Sequence, residues 1–453
     1  MRKKIEKQLP LMPPKKEHAQ SQELDCISEM LDNNPTIYEK VLQDLNRGKI
    51  ISHRKGAHGM SAEQVLRSII VQTLFGYSYK DLAFHIDDSQ TLRRFCLIGI
   101  ADKGFKKSAL NKNIKAISDE TLREINNILI GYAKSEGIEK GREVRIDCTC
   151  VESNIHKPTD ASLLCDSVRV MTRLIERCRD ICVIKVPGYH NHERVAKRRG
   201  LSILNTNSEK LRNAKYRELI KITGKVVSYA DNTIEAIDKK TGVDLRAMAI
   251  SLDLQKYAEL ARKVIDQTTR RIINGETVPA KDKVFSIFES HTDIIIKDRR
   301  EKHYGHKICL TGGASNMILD CLVLEGNPAD SELVVPMLER QNDIYDRYPL
   351  KASFDGGFAS KNNLKNAKEL GVKDVCFAKK RGLEEKDMCR SHYVYNRLRK
   401  FRAGIESGIS WLKRSLGLTR CIWKGWDSFK SYVWSSIVAA NLLTMARKKM
   451  AAA

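Results

Sequence analysis

None of the twelve cysteines in this 453-residue chain forms a C-x-x-C pair. Cys178-x3-Cys182 lies on one helical face but is followed by no second ligand pair at zinc-finger spacing, so no structural zinc is expected. Without a signal-peptide pattern, scattered thiols fit a reducing, cytosolic environment. A membrane-length apolar run is also missing. The longest candidate, Ser431 to Ala446, is too short and is interrupted by Ser435, Ser436 and Asn441, which predicts a buried helix instead of a span. No basic helix carries the one-sided apolar face needed to lie in a bilayer interface. Acid is scarce relative to base, with 56 Asp+Glu against 80 Lys+Arg and a formal charge of +24. An excess spread along the whole chain favours a polyanionic partner, nucleic acid first, because each phosphate neutralised releases condensed counterions.

The length suits two or three domains. Residues 1–39 read as a basic, proline-containing and partly disordered segment. Over 40–135 the pattern is helical. Ser61 and Gln64 form a capping box ahead of Val65, Ile69 and Leu74, a helix restarts near Tyr77, Asp88-Ser89 caps another, and a basic amphipathic helix with Lys112 and Lys115 begins at Ser108. Short helices ending in a basic one fit a helix-turn-helix DNA reader, or a plain bundle with solvated charges. Residues 140–160 start a second unit with the strand Val144 to Val151, in which Asp147 faces away from Ile146. A helical, strongly basic stretch over 161–280 shows no strand pattern and carries Arg194, Arg198 and Arg199. Strands return at 284–288, 294–296, 306–311, 317–325, 350–354 and 375–378 within the final unit, 281–450. Ser331 is expected to cap a helix running to Arg340.

Three carboxylates stand out. Asp147 and Asp355 end apolar runs, and Glu406 sits in Arg402-x3-Glu406-x6-Lys413. Offsets of four and eleven return to nearly the same helical angle, so Arg402, Glu406 and Lys413 share a face. Singly each has an ordinary explanation, a turn-forming aspartate or a surface ion pair. Together they supply what two-metal phosphoryl transfer needs: hard oxygen ligands held at strand ends and on a helix.

These residues resemble the DDE transposases of bacterial insertion sequences, in the group whose last acid lies in a Tyr-x2-Arg-x3-Glu-x6-Lys signature. The likeness rests on Arg145-x-Asp147-x-Thr149-x2-Glu152-x-Asn154-x-His156, on Phe354-Asp355-Gly356-Gly357-Phe358, on Arg402, Glu406 and Lys413, and on the helical module from Met60 to Gly99. It implies an α/β, ribonuclease-H-like (retroviral-integrase-like) catalytic domain with a large helical insertion after the first strand, preceded by an all-α DNA-binding domain. The implied enzyme binds terminal inverted repeats and performs magnesium-dependent DNA cleavage and strand transfer, with manganese as a substitute. Asp147, Asp355 and Glu406 would be both catalytic residues and metal ligands. Arg402 and Lys413 would hold phosphates, and Lys112, Lys115, Arg194, Arg198 and Arg199 would bind DNA. Double-stranded DNA, both transposon end and target, is the implied partner, with a homodimer in the synaptic complex, no membrane, and a bacterial cytoplasmic, nucleoid-associated location. Two readings compete: an inactive DNA-binding regulator derived from a transposase, and a structure-specific nuclease on the same fold. Two departures stand against the signature. Arg399 replaces the tyrosine, with Tyr395 the nearest one upstream, and Asp147 and Asp355 lie 208 residues apart (355 − 147), which requires the insertion. Weaker candidates are His190-x-His192 and His303-x2-His306, read as exposed loops, and the four tryptophans, read mostly as core with one available to stack on a base.

Overall fold

A computed structural model describes residues 18–48, 59–99, 101–182, 186–239, 244–297 and 301–452. The basic opening from Arg2 to Lys16 lies outside them. From Ala19 onward the segment is helical. In α1 (Ala19–Asp32) and α2 (Thr36–Asn46), Leu24, Ile27, Leu31, Ile37, Val41 and Leu45 recur at helical spacing and are all buried, enough apolar surface to order the segment.

α3 (Ala62–Phe75) begins with the reciprocal Ser61–Gln64 box and ends on Gly76 at φ 67°, the left-handed position glycine adopts without steric cost. α4 (Tyr79–Asp88) is capped by Ser78, and α5 (Gln90–Phe95) by Ser89 alone, since Asp88 is still helical. α6 (Lys107–Ile114) and α7 (Asp119–Ser135) complete the module.

The mixed sheet contains β1 (Glu143–Glu152), β2 (Asp293–Lys297), β3 (Glu301–Gly313), β4 (Ile318–Val323), β5 (Lys351–Phe354) and β6 (Asp374–Phe377). Its order is β2-β3-β1-β5-β6, with β4 also paired to β3. β1, β2 and β4 each run antiparallel to β3, whereas β1, β5 and β6 are mutually parallel. Between β1 and β2 the chain leaves the sheet as α8 (Asp160–Cys182), α9 (Glu193–Leu204), α10 (Glu209–Asp238) and α11 (Leu245–Thr268). These four helices enclose their own apolar core, including Leu164, Val168, Leu219, Leu254 and Val264.

Two expected elements differ. The strand over 284–288 does not form, because side chains satisfy its backbone: Gln267 engages both the amide and carbonyl of Val284, and the Ser286 hydroxyl accepts from the Phe288 and Glu289 amides. Nor does Ser331 cap a helix. It lies inside a 3-10 turn, Asp330–Leu333, that leads into α12 (Val334–Tyr345).

α13 (Lys361–Glu369), α14 (Glu385–Met388), α15 (His392–Ser415) and α16 (Trp426–Ala452) close the chain. The polar residues that interrupt the apolar run of α16 bind it into the protein. Asn441 accepts from the Ile318 amide and donates to the Ile318 carbonyl and to Asn126, which donates to the Leu319 carbonyl. This joins α16, α7 and β4 in one buried network. Among the described residues no helix is long and apolar enough to cross a membrane.

Candidate active site

Parallel pairing of β1 and β5 sets Ile146 opposite Phe354. Asp147 and Asp355, each one residue further on, therefore lie side by side, about 5 Å apart in strand spacing. Asp355 follows the end of β5, whereas Asp147 is not at a strand end as expected but within β1, paired with Leu310 of β3. The Gly356-Gly357 turn after Asp355 fits where a side chain would not: a Cβ on Gly356 would lie 2.8 Å from the Lys379 side chain, and one on Gly357 would lie 2.6 Å from Asp330 Oδ2.

α15 lies across the sheet and brings in the third acid. Leu398, Ile405 and Leu412, seven residues apart, face the core. Ser353 donates to the Leu398 carbonyl at 3.0 Å, and Arg145, buried in β1, donates to the Phe401 carbonyl at 3.1 Å while its guanidinium stacks over the Phe401 ring at 4.8 Å. Gly404 makes this approach possible, because any Cβ there would overlap the Arg145 guanidinium.

Arg402 is the hub. Its Nη2 donates to Glu406 Oε1 at 2.6 Å, while Nη1 faces Asp355 Oδ1 at 3.5 Å and Asp147 Oδ2 at 3.9 Å. The ordinary i,i+4 surface pair is thus only one of three contacts. Asp147 is the most enclosed acid of the three, with its side chain 18% exposed against 46% for Asp355 and 58% for Glu406. Burial pushes its pKa up to about 6, Asp355 and Asp330 add to the rise, and the Cys148 amide and Arg402 oppose it. For Arg402, burial works to lower the pKa but is outweighed by the hydrogen bond and charge of Glu406 and by the charges of both aspartates, so the net shift is upward.

The remaining candidates fall elsewhere. Lys413 follows Glu406 by seven residues, about 10 Å along the helix axis at 1.5 Å per residue. Arg399 is exposed, and Tyr395 is buried with its hydroxyl donating to the Phe377 carbonyl, so no tyrosine takes the signature position. Lys112 is exposed on α6 and Lys115 at its C-cap, and Arg194 and Arg198 are exposed on α9, whereas Arg199 pairs with Glu218 of α10. His303 and His306 are not loop residues. Both lie on β3 with carboxylate partners, His303 on Glu152 at 3.0 Å and His306 facing Asp293 at 3.3 Å, and His306 also bonds His291. Trp423 and Trp434 are core, and Trp426 packs on His306.

Sequence reasoning missed Asp330 and its partner Lys307, which closes on Asp330 Oδ1 at 2.5 Å. Lys307 sits within an apolar strand, a lysine position that signals a buried pair; Asp330 resembles any helix-start acid.

Two family models match the chain: Transposase domain (DUF772) over residues 13–116 and Transposase DDE domain over residues 266–442. The chain belongs to the insertion-sequence DDE transposases. Asp355, Arg402, Glu406 and Lys413 fall within the second match, whereas Asp147 precedes it, so its membership of the site rests on the β1–β5 register. No curated protein and no solved structure matches the transposase.

DDE transposases generally use divalent metal ions. The donor set here suits such an ion in kind, being three carboxylates, two of them open to solvent. Among the described residues, however, no three His, Cys, Asp or Glu side chains are set to share one ion as they stand. Arg402 stands between them.

Proposed function

We propose that this transposase binds the terminal inverted repeats of its element, cuts the DNA there and joins the freed 3′-hydroxyl to target DNA, with Asp147, Asp355 and Glu406 holding magnesium. The observation that carries this reading is the convergence of three acids, separated by as many as 259 residues (406 − 147), on a single guanidinium. The strand order, with one antiparallel arm and three parallel strands around β1, supports the ribonuclease-H-like reading of the sheet.

Divalent ions held there would activate the attacking oxygen and stabilise the leaving one. Asp147 within β1 and Asp355 just past the end of the adjacent β5 both turn an oxygen toward Arg402, and Glu406 adds an exposed carboxylate from the helix. Arg402 and Lys413, on one face of α15, offer a fork and a point charge to successive phosphates. Lys112 and Lys115 would serve end recognition, and Arg194 and Arg198 backbone contact along the insertion, with Arg199 first having to leave Glu218. A homodimer would pair two ends.

The test is cleavage and joining of a labelled transposon end in Mg²⁺. Asp147→Ala, Asp355→Ala and Glu406→Ala should each abolish both products while end binding stays within about twofold, because loss of a ligand removes several kcal/mol of barrier lowering. Wild-type cleavage by any one variant removes that residue from the site. Cleavage without joined product in the unmutated protein would favour the nuclease.

A further inference from the structure

We propose that Arg402 is the resident counter-ion of the carboxylate triad, and that metal and DNA take its place together: the ion claims the carboxylates as a phosphate claims the guanidinium. This rests on the reading of the triad as a metal site.

An i,i+4 pair with Glu406 explains only one of the guanidinium's three contacts. Nη2 takes Glu406, while Nη1 faces Asp147 within β1 and Asp355 just past the end of β5. The side chain is 15% exposed, so the charge is held inside the cleft instead of over it. Three acids around one guanidinium leave an excess of two negative charges, a cluster that still attracts a divalent ion. A divalent ion bound to the same oxygens would lie within a few ångströms of the guanidinium and repel it. Arg402 and metal therefore compete, in accord with the absence among the described residues of any three ligating side chains already gathered on one point.

The same geometry gives Arg402 a second destination. Guanidinium forks match phosphate oxygens as well as carboxylates, and the Arg402 guanidinium is only partly enclosed, with its Glu406 and Asp355 partners 58% and 46% exposed. A DNA phosphate arriving there would draw the guanidinium off the acids and so raise their affinity for metal. By reciprocity, metal would raise affinity for DNA to the same degree. Without DNA, the triad would stay in its arginine-bound form, which keeps a strand-cutting site weakly loaded until an end is present.

The experiment is a Mn²⁺ titration of the full-length protein by calorimetry at pH 8, without DNA, on the wild type, Arg402→Gln, Arg402→Lys and Asp355→Ala. Arg402→Gln should bind Mn²⁺ roughly tenfold tighter than wild type, within the ~5–150-fold span of ordinary coupling between ligands. Its melting temperature should also rise more on adding Mn²⁺. Asp355→Ala should lose the site. Should Arg402→Gln fail to fold, Arg402→Lys carries the test, because a shorter point charge that cannot bridge three acids should still bind Mn²⁺ more tightly than wild type. Equal or weaker binding by the Arg402 variant, with Asp355→Ala still abolishing it, would overturn the counter-ion proposal and leave the metal site standing. Unchanged binding by Asp355→Ala would instead overturn the metal site, and the proposal with it.

Discussion

At Asp147 the needs of chemistry and of folding oppose each other. The residue projects from a central strand, and burial raises its pKa to about 6. A carboxyl that holds its proton longer when folded than when unfolded adds stability in full below its ordinary pKa of 3.8, and that contribution is lost as the pH rises through about 6. At neutral pH the ionised group is therefore a liability in the metal-free protein. Asp147→Asn should raise metal-free stability at pH 8 by on the order of 1–3 kcal/mol, make no difference near pH 3.5, and eliminate cleavage. Urea melts of both proteins at the two pH values check this. An unchanged or lower stability at pH 8 would mean that Arg402 offsets the whole cost of burial. Asp147 drew attention in the sequence through the transposase resemblance, since β1 buries residues on both sides of it and local pattern alone does not set it apart. Asp330 was not, although its charge acts on Asp147, because nothing local distinguishes it from other acids at the start of a helix.

Among the elements, α15 determines whether the three acids meet at all. Helical periodicity alone puts Arg402, Glu406 and Lys413 on one face, and that much follows from spacing. How the helix crosses the sheet depends on Arg145 and Gly404, partners 259 residues apart (404 − 145), a distance at which local pattern carries no information. Two glycines on this helix separate packing from propensity. A Cβ at Gly404 overlaps Arg145, whereas one at Gly408 meets only Ile318 Cδ1 at 4.0 Å. Gly408→Ala should stabilise the protein by about 0.5–1 kcal/mol through helix propensity and leave cleavage intact. Gly404→Ala should destabilise it by about 1–3 kcal/mol through overpacking and reduce cleavage along with Mn²⁺ binding, because displacing the helix carries Arg402 and Glu406 with it. Thermal melts and cleavage rates of the two variants decide the matter, and equal behaviour would show that the crossing adjusts freely. The failed strand at 284–288 follows the same logic: its apolar run is a good strand signal, but Gln267, from a helix outside that run, takes the backbone groups a ladder would have used.

Across the whole molecule, the apolar cores divide the chain differently from its sequence. The composition change near residue 40 and the strand onset near 140 suggest a self-contained helical domain over 40–135. In the fold, that segment shares one continuous core with the sheet and with α16, from Leu24 and Ile27 at one end to Met445 and Ala446 at the other. Ser431 in α16 donates to the Ile117 carbonyl, and Arg447 pairs with Glu23 of α1 at 2.7 Å. The inserted helices, by contrast, enclose a second core built from residues 161–287. Residues 160–288 expressed alone should therefore give a cooperatively melting helical protein. Residues 40–135 alone should not, because α1 and α16 are missing and the buried faces of α3 and α7 would be left in water. Far-UV circular dichroism and thermal melts of the two pieces provide the comparison. If 40–135 melted cooperatively by itself, the α16 network through Asn126 and Asn441 would be an ornament on an independent domain. If it did not, end recognition has to be mapped by Lys112→Ala and Lys115→Ala in the intact chain, where the loss per phosphate contact appears as about one unit of salt slope.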